Sequence, residues 1–294
     1  MKQGKIYQSL AGFYDVLDSN GELYRTRARG NFRKKNIKPI VGDMVEFEAE
    51  NQSSGYILNI LPRVNSLVRP PIANTDQAFV ITSVKEPDFS FNLLDKELVA
   101  LEIEKIQPII IFTKLDLLSE SELIEFNKIK DEYENIGYDC ILFNPDDQNS
   151  IDSFLNKLTN NQSVLMGQTG AGKSTLLNTV KPDLNLMTNE ISQALNRGKH
   201  TTRKVSLIKI NNGIIADTPG FSSFETMDIS SDQLKDYYPE MKRLAKNCRF
   251  RGCVHINEPS CAIKEAVESG KIIRTRYENY LQQFQVLKNK KIKY

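Results

Sequence analysis

The chain has 294 residues, 40% of them hydrophobic, and a formal net charge of +2. This length predicts two or three domains, each with a hydrophobic core. The longest aliphatic or aromatic run of note, Ile109 to Phe112, is far shorter than the roughly 18 residues of a membrane span, so we expect no membrane segment. The N-terminal sequence lacks the apolar stretch and cleavage site of a secretory signal, and we therefore expect a cytoplasmic protein.

Charge is unevenly distributed along the chain. Residues 1–69 carry eleven Lys/Arg against seven Asp/Glu, residues 226–294 carry fourteen against eight, and residues 70–225 carry fourteen against twenty-two. Basic ends around an acidic centre are typical of peripheral regions that grip a polyanion. A solvated basic face without a ligand explains the same distribution.

The pattern of elements divides the chain at the same places. Residues 1–69 contain short β-type runs separated by turn residues, which predicts a small β-barrel of the oligonucleotide/oligosaccharide-binding (OB) or SH3-like type. In residues 70–225, buried-type strands alternate with charged helical stretches, which predicts an α/β domain. Residues 226–294 suit an α-helical domain built around a cluster of cysteines and one histidine.

A phosphate-binding loop is predicted after the strand-like residues 163–166. The segment GQTGAGKS at 167–174 matches the GxxxxGK[ST] pattern and precedes a helix-compatible stretch. Its backbone N–H groups can point at phosphate oxygens, the catalytic Lys173 can hold the β- and γ-phosphates, and Ser174 can ligate Mg²⁺. The residues expected to bind nucleotide here are Gly167, Gln168, Thr169, Gly170, Ala171, Gly172, Lys173, Ser174 and Thr175.

A second phosphate-side signal, Asp217-Thr218-Pro219-Gly220, follows the apolar strand at 213–216. An acidic residue at such a strand end can reach Mg²⁺, and the backbone N–H of Gly220 can meet the γ-phosphate. An ordinary turn that begins at Asp217 is the structural alternative.

The base is expected to be guanine. The apolar strand at 108–112 ends in Thr113-Lys114-Leu115-Asp116, where the Asp116 carboxylate can accept hydrogen bonds from the guanine N1–H and 2-amino groups. Lys114 is expected to lie along the base. The usual pattern is NKxD, so Thr113 replaces an amide that ties this loop to the phosphate loop, and we expect weaker binding without loss of specificity.

The order of these motifs predicts a circular permutation. The base-recognition motif at 113–116 precedes the phosphate loop at 167–174, and the Asp217 motif comes last. A packed nucleotide site survives such a rearrangement if the original termini lie close together. The strand at 213–216 then leads directly into the C-terminal region.

The segment 197–203 is expected to be the nucleotide-dependent switch. Thr202, with Thr201 as the alternative, can ligate Mg²⁺ and contact the γ-phosphate. Many GTPases place a water-orienting Gln directly after the DxxG motif, but here Phe221 takes that position. His200 is therefore predicted to orient the attacking water, with a solvated loop histidine as the alternative.

A structural zinc site is predicted in the C-terminal region. Cys248, Cys253, His255 and Cys261 supply three thiolates and one imidazole, the full ligand set of a closed tetrahedral Zn²⁺. Reduced cysteines beside a histidine by chance are the alternative. Cys140 lies far away in sequence and is expected to be a buried apolar residue.

The N-terminal barrel carries a basic segment that is a candidate RNA contact. Arg residues alternate along one strand face and continue into a basic loop, with Tyr24 and Phe32 available for base stacking. A solvated strand face is the alternative. The cations are Arg25, Arg27, Arg29, Arg33, Lys34, Lys35 and Lys38.

The complete set of motifs resembles the ribosome small subunit-dependent GTPase A family of circularly permuted bacterial GTPases. The resemblance covers essentially the whole chain and rests on the motif order. The motifs that carry it are VGDMVEF at 41–47, TKLD at 113–116, GQTGAGKS at 167–174, GKHTTR at 198–203, DTPG at 217–220 and the Cys-Cys-His-Cys cluster. This chain departs from the family pattern at Thr113 and at Phe143-Asn144-Pro145.

The resemblance implies an OB-fold RNA-binding domain at 1–69, a permuted GTPase domain at 70–225 and a zinc-binding helical domain at 226–294. It implies hydrolysis of GTP to GDP with Mg²⁺, stimulation by the 30S ribosomal subunit, contacts with 16S rRNA, a role in late subunit assembly, and participation of His200. We expect a monomer without DNA or membrane partners. An RNA chaperone with incidental hydrolysis and an ATP-driven remodelling subunit are the alternative functions.

Overall fold

The computed structural model describes residues 1–30, 32, 37–68, 70–184, 205–217 and 228–290. The strands in these ranges are β1 (Lys2–Leu10), β2 (Phe13–Asp18), β3 (Leu23–Ala28), β4 (Met44–Asn51), β5 (Ser54–Ile60), β6 (Ser66–Leu67), β7 (Ile72–Ala73), β8 (Gln77–Ser83), β9 (Gln107–Thr113), β10 (Asp139–Leu142), β11 (Gln162–Met166), β12 (Val205–Ile210) and β13 (Gly213–Asp217). The α-helices are α1 (Phe91–Glu104), α2 (Glu120–Ile136), α3 (Gln148–Leu158), α4 (Lys173–Val180), α5 (Pro239–Leu244), α6 (Ala262–Glu268) and α7 (Arg274–Asn289). None of these helices has the length and apolarity needed to cross a membrane.

The first five strands form a closed barrel. They pair in the order β1-β2-β3-β5-β4, and β4 pairs back onto β1. Every second side chain points inward, so Ile6, Val16, Val45 and Ile57 are fully buried. This strand order is that of an OB-fold barrel, which confirms the OB-fold prediction.

The central region is a three-layer α/β structure. Strands β10, β9, β8, β11 and β13 run parallel, and β12 is antiparallel to β13. Alternate residues of β8 contribute to different cores: Ala78 and Val80 pack with α1 and α2, whereas Phe79 and Ile81 pack with α3 and α4. Continuous apolar strands are expected in a parallel sheet that is covered on both faces.

The barrel and the central sheet share hydrogen bonds. Strand β12 pairs antiparallel with β1 at Gln8↔Ser206 and Ser9↔Val205, which makes one continuous sheet of eleven strands. Beside this seam, the ammonium group of Lys5 donates to the side-chain oxygen of Gln162 at 3.0 Å. The barrel is therefore joined to the α/β region through backbone as well as side-chain bonds.

The C-terminal helices build a separate core. Buried Leu234, Tyr238, Met241, Tyr280 and Phe284 form its centre. The cluster also includes Val99 of α1, so this region packs directly against the α/β region.

One buried cation joins the C-terminal helices to α1. Arg276 is fully buried; its Nη1 lies 2.5 Å from Asp95 Oδ1 and its Nε lies 2.6 Å from Glu240 Oε1. Nη2 donates to the Tyr138 hydroxyl at 3.2 Å, and the guanidinium lies 4.7 Å from the ring centroid of Tyr238. Asp95 belongs to α1 and Glu240 to α5, so the guanidinium bridges carboxylates from the two regions.

Replacing Arg276 with Ala is expected to lower the free energy of unfolding by about 3–5 kcal/mol, because two buried carboxylates would lose their cation. Urea denaturation measures this loss, followed by tyrosine fluorescence because the chain has no Trp. As a control, Arg25→Ala removes a surface pair with Asp15 in which the arginine side chain is 52% exposed, and should change the free energy of unfolding by less than about 1 kcal/mol. A loss below about 1 kcal/mol for Arg276→Ala would contradict the bridging role.

Candidate functional site

The phosphate loop connects β11 to α4 at the carboxyl edge of the parallel sheet. Gly167, Gly170 and Gly172 have φ values of 130°, 84° and 94°, in the region that favours glycine. A Cβ atom on Gly167 would lie 2.0 Å from the backbone oxygen of Ile81, so a side chain does not fit there. The backbone thus curls tightly against β8 before α4 begins.

Lys173 lies at the start of α4 and folds back over the loop. Its Nζ donates to the backbone oxygens of Gly167 at 2.5 Å and of Gln168 at 2.6 Å. Burial lowers the pKa of Lys173 to about 8, and the nearby Glu97 carboxyl opposes this shift. Phosphate oxygens are stronger acceptors than carbonyls, so the loop and its cation fit a nucleotide phosphate.

The remaining residues of the loop occupy different environments. Ser174 and Ala171 are buried, Gln168 is half-buried, and Thr169 and Thr175 are exposed. Leu176 and Leu177 follow on α4 and pack into the core, which fixes the helix and therefore the loop before it.

Thr113 ties the base-recognition segment to the phosphate loop. It is the last residue of β9, and its hydroxyl donates to the backbone oxygen of Ala171 at 2.7 Å. The expectation that Thr113 removes this tie is therefore wrong. A hydroxyl is shorter than the amide of Asn, but the strand end lies close enough to the loop for the hydroxyl to reach.

Lys114 and Asp116 follow at the same edge of the sheet. Lys114 has a φ of 61°, and its ammonium group donates to the backbone oxygen of Glu86. Asp116 lies in a short 3₁₀ helix, Leu115–Leu117, with its carboxylate exposed. Asp116 forms no hydrogen bond or ion pair with the other described residues, so its oxygens are available to a base.

The loop after β8 also belongs to this edge, although sequence reasoning missed it. Besides the contact of Lys114 with Glu86, the Ser83 hydroxyl donates to the backbone oxygen of Pro87 at 2.6 Å. Pro87, four residues after the end of the buried strand β8, is the sequence signal that could have indicated this turn. Glu97 was missed as well: burial raises its pKa to about 8, and the charge of Lys173 opposes the shift.

The segment 143–145 follows β10 at the neighbouring strand end. Phe143 is buried, and the Ser150 hydroxyl donates to the backbone oxygen of Asn144 at 2.8 Å. The backbone N–H of Asp146 donates to the side-chain oxygen of Asn144 at 3.0 Å. Asn144 thus holds the turn closed where the family pattern differs.

The residues expected to drive hydrolysis lie largely outside the described ranges. Asp217 ends β13, whose neighbour β11 leads into the phosphate loop, but only its backbone is described. The switch residues His200, Thr201 and Thr202, together with Gly220 and the neighbouring Phe221, lie outside the described residues.

Cys248, Cys253, His255 and Cys261 come together in the C-terminal region, with their ligand atoms all within 4.8 Å of one another. The Sγ atoms of Cys253 and Cys261 are 3.7 Å apart, and His255 Nδ1 lies 3.4 Å from Cys261 Sγ and 3.7 Å from Cys248 Sγ. Tetrahedral Zn²⁺ with its usual bond lengths requires separations of about 3.8 Å between sulfurs and about 3.6 Å between nitrogen and sulfur. The donor set therefore fits one tetrahedral Zn²⁺.

The basic segment of the barrel differs from its expected arrangement. Tyr24 is 4% exposed and Phe32 is 9% exposed, so the prediction that they are available for stacking is wrong. Tyr24 points inward because side chains alternate along β3. Aromatic residues that are more accessible include Phe13, whose ring lies 4.2 Å from the Arg27 guanidinium, and half-exposed Tyr56.

Two of the predicted cations are paired with carboxylates. Arg25 contacts Asp15 at 3.0 Å, and Arg29 contacts Glu48 at 3.3 Å. Arg33, Lys34 and Lys35 lie outside the described residues, whereas Lys38 is described and exposed.

Replacing Thr113 with Val is expected to weaken the binding of GTP and GDP equally, by about five- to tenfold. The change removes one hydrogen bond and leaves the buried carbonyl of Ala171 without that donor, which costs about 1 kcal/mol. Titration with a fluorescent guanine nucleotide measures the change. Thr113→Ser keeps the hydroxyl and should bind like the wild type; a Val variant within twofold of wild type would refute the tie.

The comparisons with known proteins cover the whole chain. The family models for the RsgA GTPase and for the RsgA N-terminal domain match residues 60–227 and 3–57. Small ribosomal subunit biogenesis GTPase RsgA of Limosilactobacillus fermentum is 56% identical over 295 residues, covering 100% of this chain and 99% of the relative. RsgA 1 of Listeria monocytogenes serotype 4b is 52% identical and covers 100% of both chains.

Two solved structures share the complete architecture. The crystal structure of YloQ, described as a circularly permuted GTPase, has a TM-score of 0.84 and 40% identity, covering 100% of this chain and 97% of that one. The structure of YjeQ from Thermotoga maritima has a TM-score of 0.87 and 34% identity, covering 98% and 99%. The chain therefore belongs to the RsgA GTPase family, and it is a GTP hydrolase with a circularly permuted nucleotide-binding domain.

Proposed function

We propose that this chain is a late assembly factor of the small ribosomal subunit, whose GTP hydrolysis the 30S subunit stimulates. The observation that carries the proposal is the full-length identity of 56% to a relative named as a small ribosomal subunit biogenesis GTPase. The fold supports it, because an OB-type barrel and a nucleotide site belong to one continuous sheet. We further propose that the protein acts as a monomer in the cytoplasm and contacts 16S rRNA.

Nucleotide binding is assigned to three loops at the carboxyl edge of the sheet. The phosphate loop at 167–174 offers backbone N–H groups, the ammonium of Lys173 and the N-terminus of α4 to the phosphates. Asp116 selects guanine by accepting hydrogen bonds that adenine does not offer. Thr113 keeps the base loop and the phosphate loop at a constant separation through its bond to Ala171.

Hydrolysis is assigned to residues around the γ-phosphate. Mg²⁺, when bound, neutralises charge on the phosphate oxygens, and Ser174, Thr202 and Asp217 are the proposed residues that hold it. Lys173 stabilises the charge that develops on the transferred group. His200 orients the attacking water. It replaces the glutamine that many GTPases have at the position of Phe221.

The two ends of the chain are proposed to serve RNA contact and folding. We assign residues 1–69 to RNA binding, 70–225 to GTP hydrolysis and 226–294 to a domain that one structural Zn²⁺ stabilises. The spacing of the four donors supports the Zn²⁺, and all four protein ligands together close the coordination shell. The exposed Arg27 and Tyr56 support the RNA assignment.

The experiment that tests the function is GTP hydrolysis at fixed salt with and without purified 30S subunits. Strong stimulation by 30S subunits but not by 50S subunits is the expected result. Equal rates without subunits, with 30S subunits and with 50S subunits would be consistent with a GTPase but would refute the 30S subunit as its partner.

Two substitutions are expected to separate binding from hydrolysis. His200→Ala should lower kcat by about 10²–10⁴-fold, the usual contribution of a group that handles the reacting proton, with GTP affinity retained. Lys173→Ala should lose GTP affinity as well, because it removes the cation of the phosphate loop. Single-turnover hydrolysis and nucleotide binding are the two measurements. Normal release from 30S subunits by a His200→Ala variant without turnover would favour an RNA chaperone over a hydrolysis-timed factor.

A single substitution at Asp116 is expected to change the base preference from guanine to xanthine. In Asp116→Asn the amide can donate to the C2 oxygen of xanthine, whereas the second acceptor for the guanine amino group is lost. We expect GTP affinity to fall about 10²-fold and xanthosine triphosphate to become the preferred ligand. Competition binding with GTP, xanthosine triphosphate and ATP measures the preference. An unchanged preference for GTP would remove Asp116 from the base site.

A further inference from the structure

The segment 253–257 carries two of the metal ligands, Cys253 and His255, and hydrogen bonds with side chains hold most of its backbone. Three successive backbone oxygens, of Cys253, Val254 and His255, each accept a hydrogen bond from a distant side chain. The donors are Lys235 Nζ at 2.8 Å, the Tyr280 hydroxyl at 2.6 Å and the Tyr277 hydroxyl at 2.6 Å, respectively. Side chains from outside the segment therefore fix its carbonyl side.

One carboxylate fixes the amide side of the same segment. Glu258 Oε1 accepts from the backbone N–H of Val254 at 2.6 Å. Its Oε2 accepts from the N–H groups of Ile256 at 2.9 Å and of Asn257 at 3.1 Å. Glu258 lies between the ligands His255 and Cys261 in sequence, so its carboxylate closes the turn that presents the imidazole.

The turn needs such a support because its backbone is unusual. His255 has a φ of 63°, in the left-handed region that a non-glycine residue rarely adopts, at a cost of order 1–3 kcal/mol. Hydrogen bonds that backbone N–H groups donate to a charged acceptor are about twice as strong as neutral ones. Burial raises the pKa of Glu258, but the backbone N–H bonds outweigh it and the net pKa is lowered, so the carboxylate remains charged.

The geometry excludes a direct role of Glu258 in coordination. Both carboxylate oxygens already accept backbone N–H groups, and three thiolates with one imidazole complete a tetrahedral shell. Glu258 is not needed as a ligand, and its negative charge only adds to that of the three thiolates. Its contribution is therefore to shape the backbone of the turn.

We propose that Glu258 is the positioning residue of the metal site, holding the 254–257 turn so that His255 Nδ1 faces the cysteine sulfurs. The inference rests on the proposed Cys₃His metal site and adds a residue that supports it. Groups that orient metal ligands typically change metal affinity by 10–100-fold when they are replaced.

The test is metal binding by the full-length protein carrying Glu258→Gln. Gln has the same shape but places an N–H donor where an oxygen now accepts, so part of the amide support is lost. We expect the Zn²⁺ affinity, measured by competition with a chelator, to fall 10–100-fold. With Co²⁺ as the probe, the absorption bands of the tetrahedral thiolate site should shift or weaken.

The matched control is Glu268→Gln, an exposed glutamate of α6 in the same region. It should leave the Zn²⁺ affinity and the Co²⁺ spectrum unchanged. Glu258→Asp keeps the charge on a shorter side chain and should have an intermediate affinity, which also provides the test if the Gln variant does not fold. Circular dichroism at saturating Zn²⁺ establishes whether each variant is folded.

The outcomes separate this inference from the proposed metal site. If the wild type gives no tetrahedral Co²⁺ spectrum, the metal site itself fails and this inference fails with it. If the wild type binds Co²⁺ and the folded Gln or Asp variant matches it in affinity and spectrum, Glu258 has no positioning role. Neither result affects the 30S stimulation of GTP hydrolysis, which is measured separately.

Discussion

Parallel pairing of β11 between β8 and β13 is the constraint on which the nucleotide site depends. Parallel strands end at the same edge, so segments separated by more than a hundred residues along the chain meet there. The phosphate loop, the base segment after β9 and the end of β13 all leave the sheet at this edge. Ligands bind at that edge in open α/β sheets generally, which is why the order of the motifs along the chain can change without disrupting the site.

Much of this arrangement can be predicted from sequence because it is locally encoded. Several local patterns predict the structure of their own segments. They are the glycines of the phosphate loop, the apolar strands before Thr113 and Asp217, and the spacing of the cysteines. The alternation of apolar and polar residues at 1–69 predicts a barrel, and only the observed strand order distinguishes an OB fold from an SH3-like one. The expected α/β class follows from strands that are apolar throughout, such as residues 108–112.

Contacts between distant side chains could not be predicted in the same way. Whether the Thr113 hydroxyl reaches Ala171 depends on the separation of two strand ends, which no local pattern specifies. Tyr24 looks available beside three arginines, but the inward direction of alternate residues on β3 buries it. In the sequence, Arg276 and Glu258 look like ordinary charged residues. Only the fold places two carboxylates beside Arg276 and three backbone N–H groups beside Glu258.

The closure of the barrel also determines where the large sheet ends. Because β4 pairs back onto β1, the described strands leave no free edge on the barrel side of the eleven-stranded sheet. In the part of the chain that the structure describes, the unpaired edge of this sheet belongs to β10, which has only four residues. Exposed edge strands act as templates for pairing with other chains, and a very short edge is one way in which proteins avoid this. An extended sheet that could otherwise recruit further strands and aggregate is thus terminated at both ends.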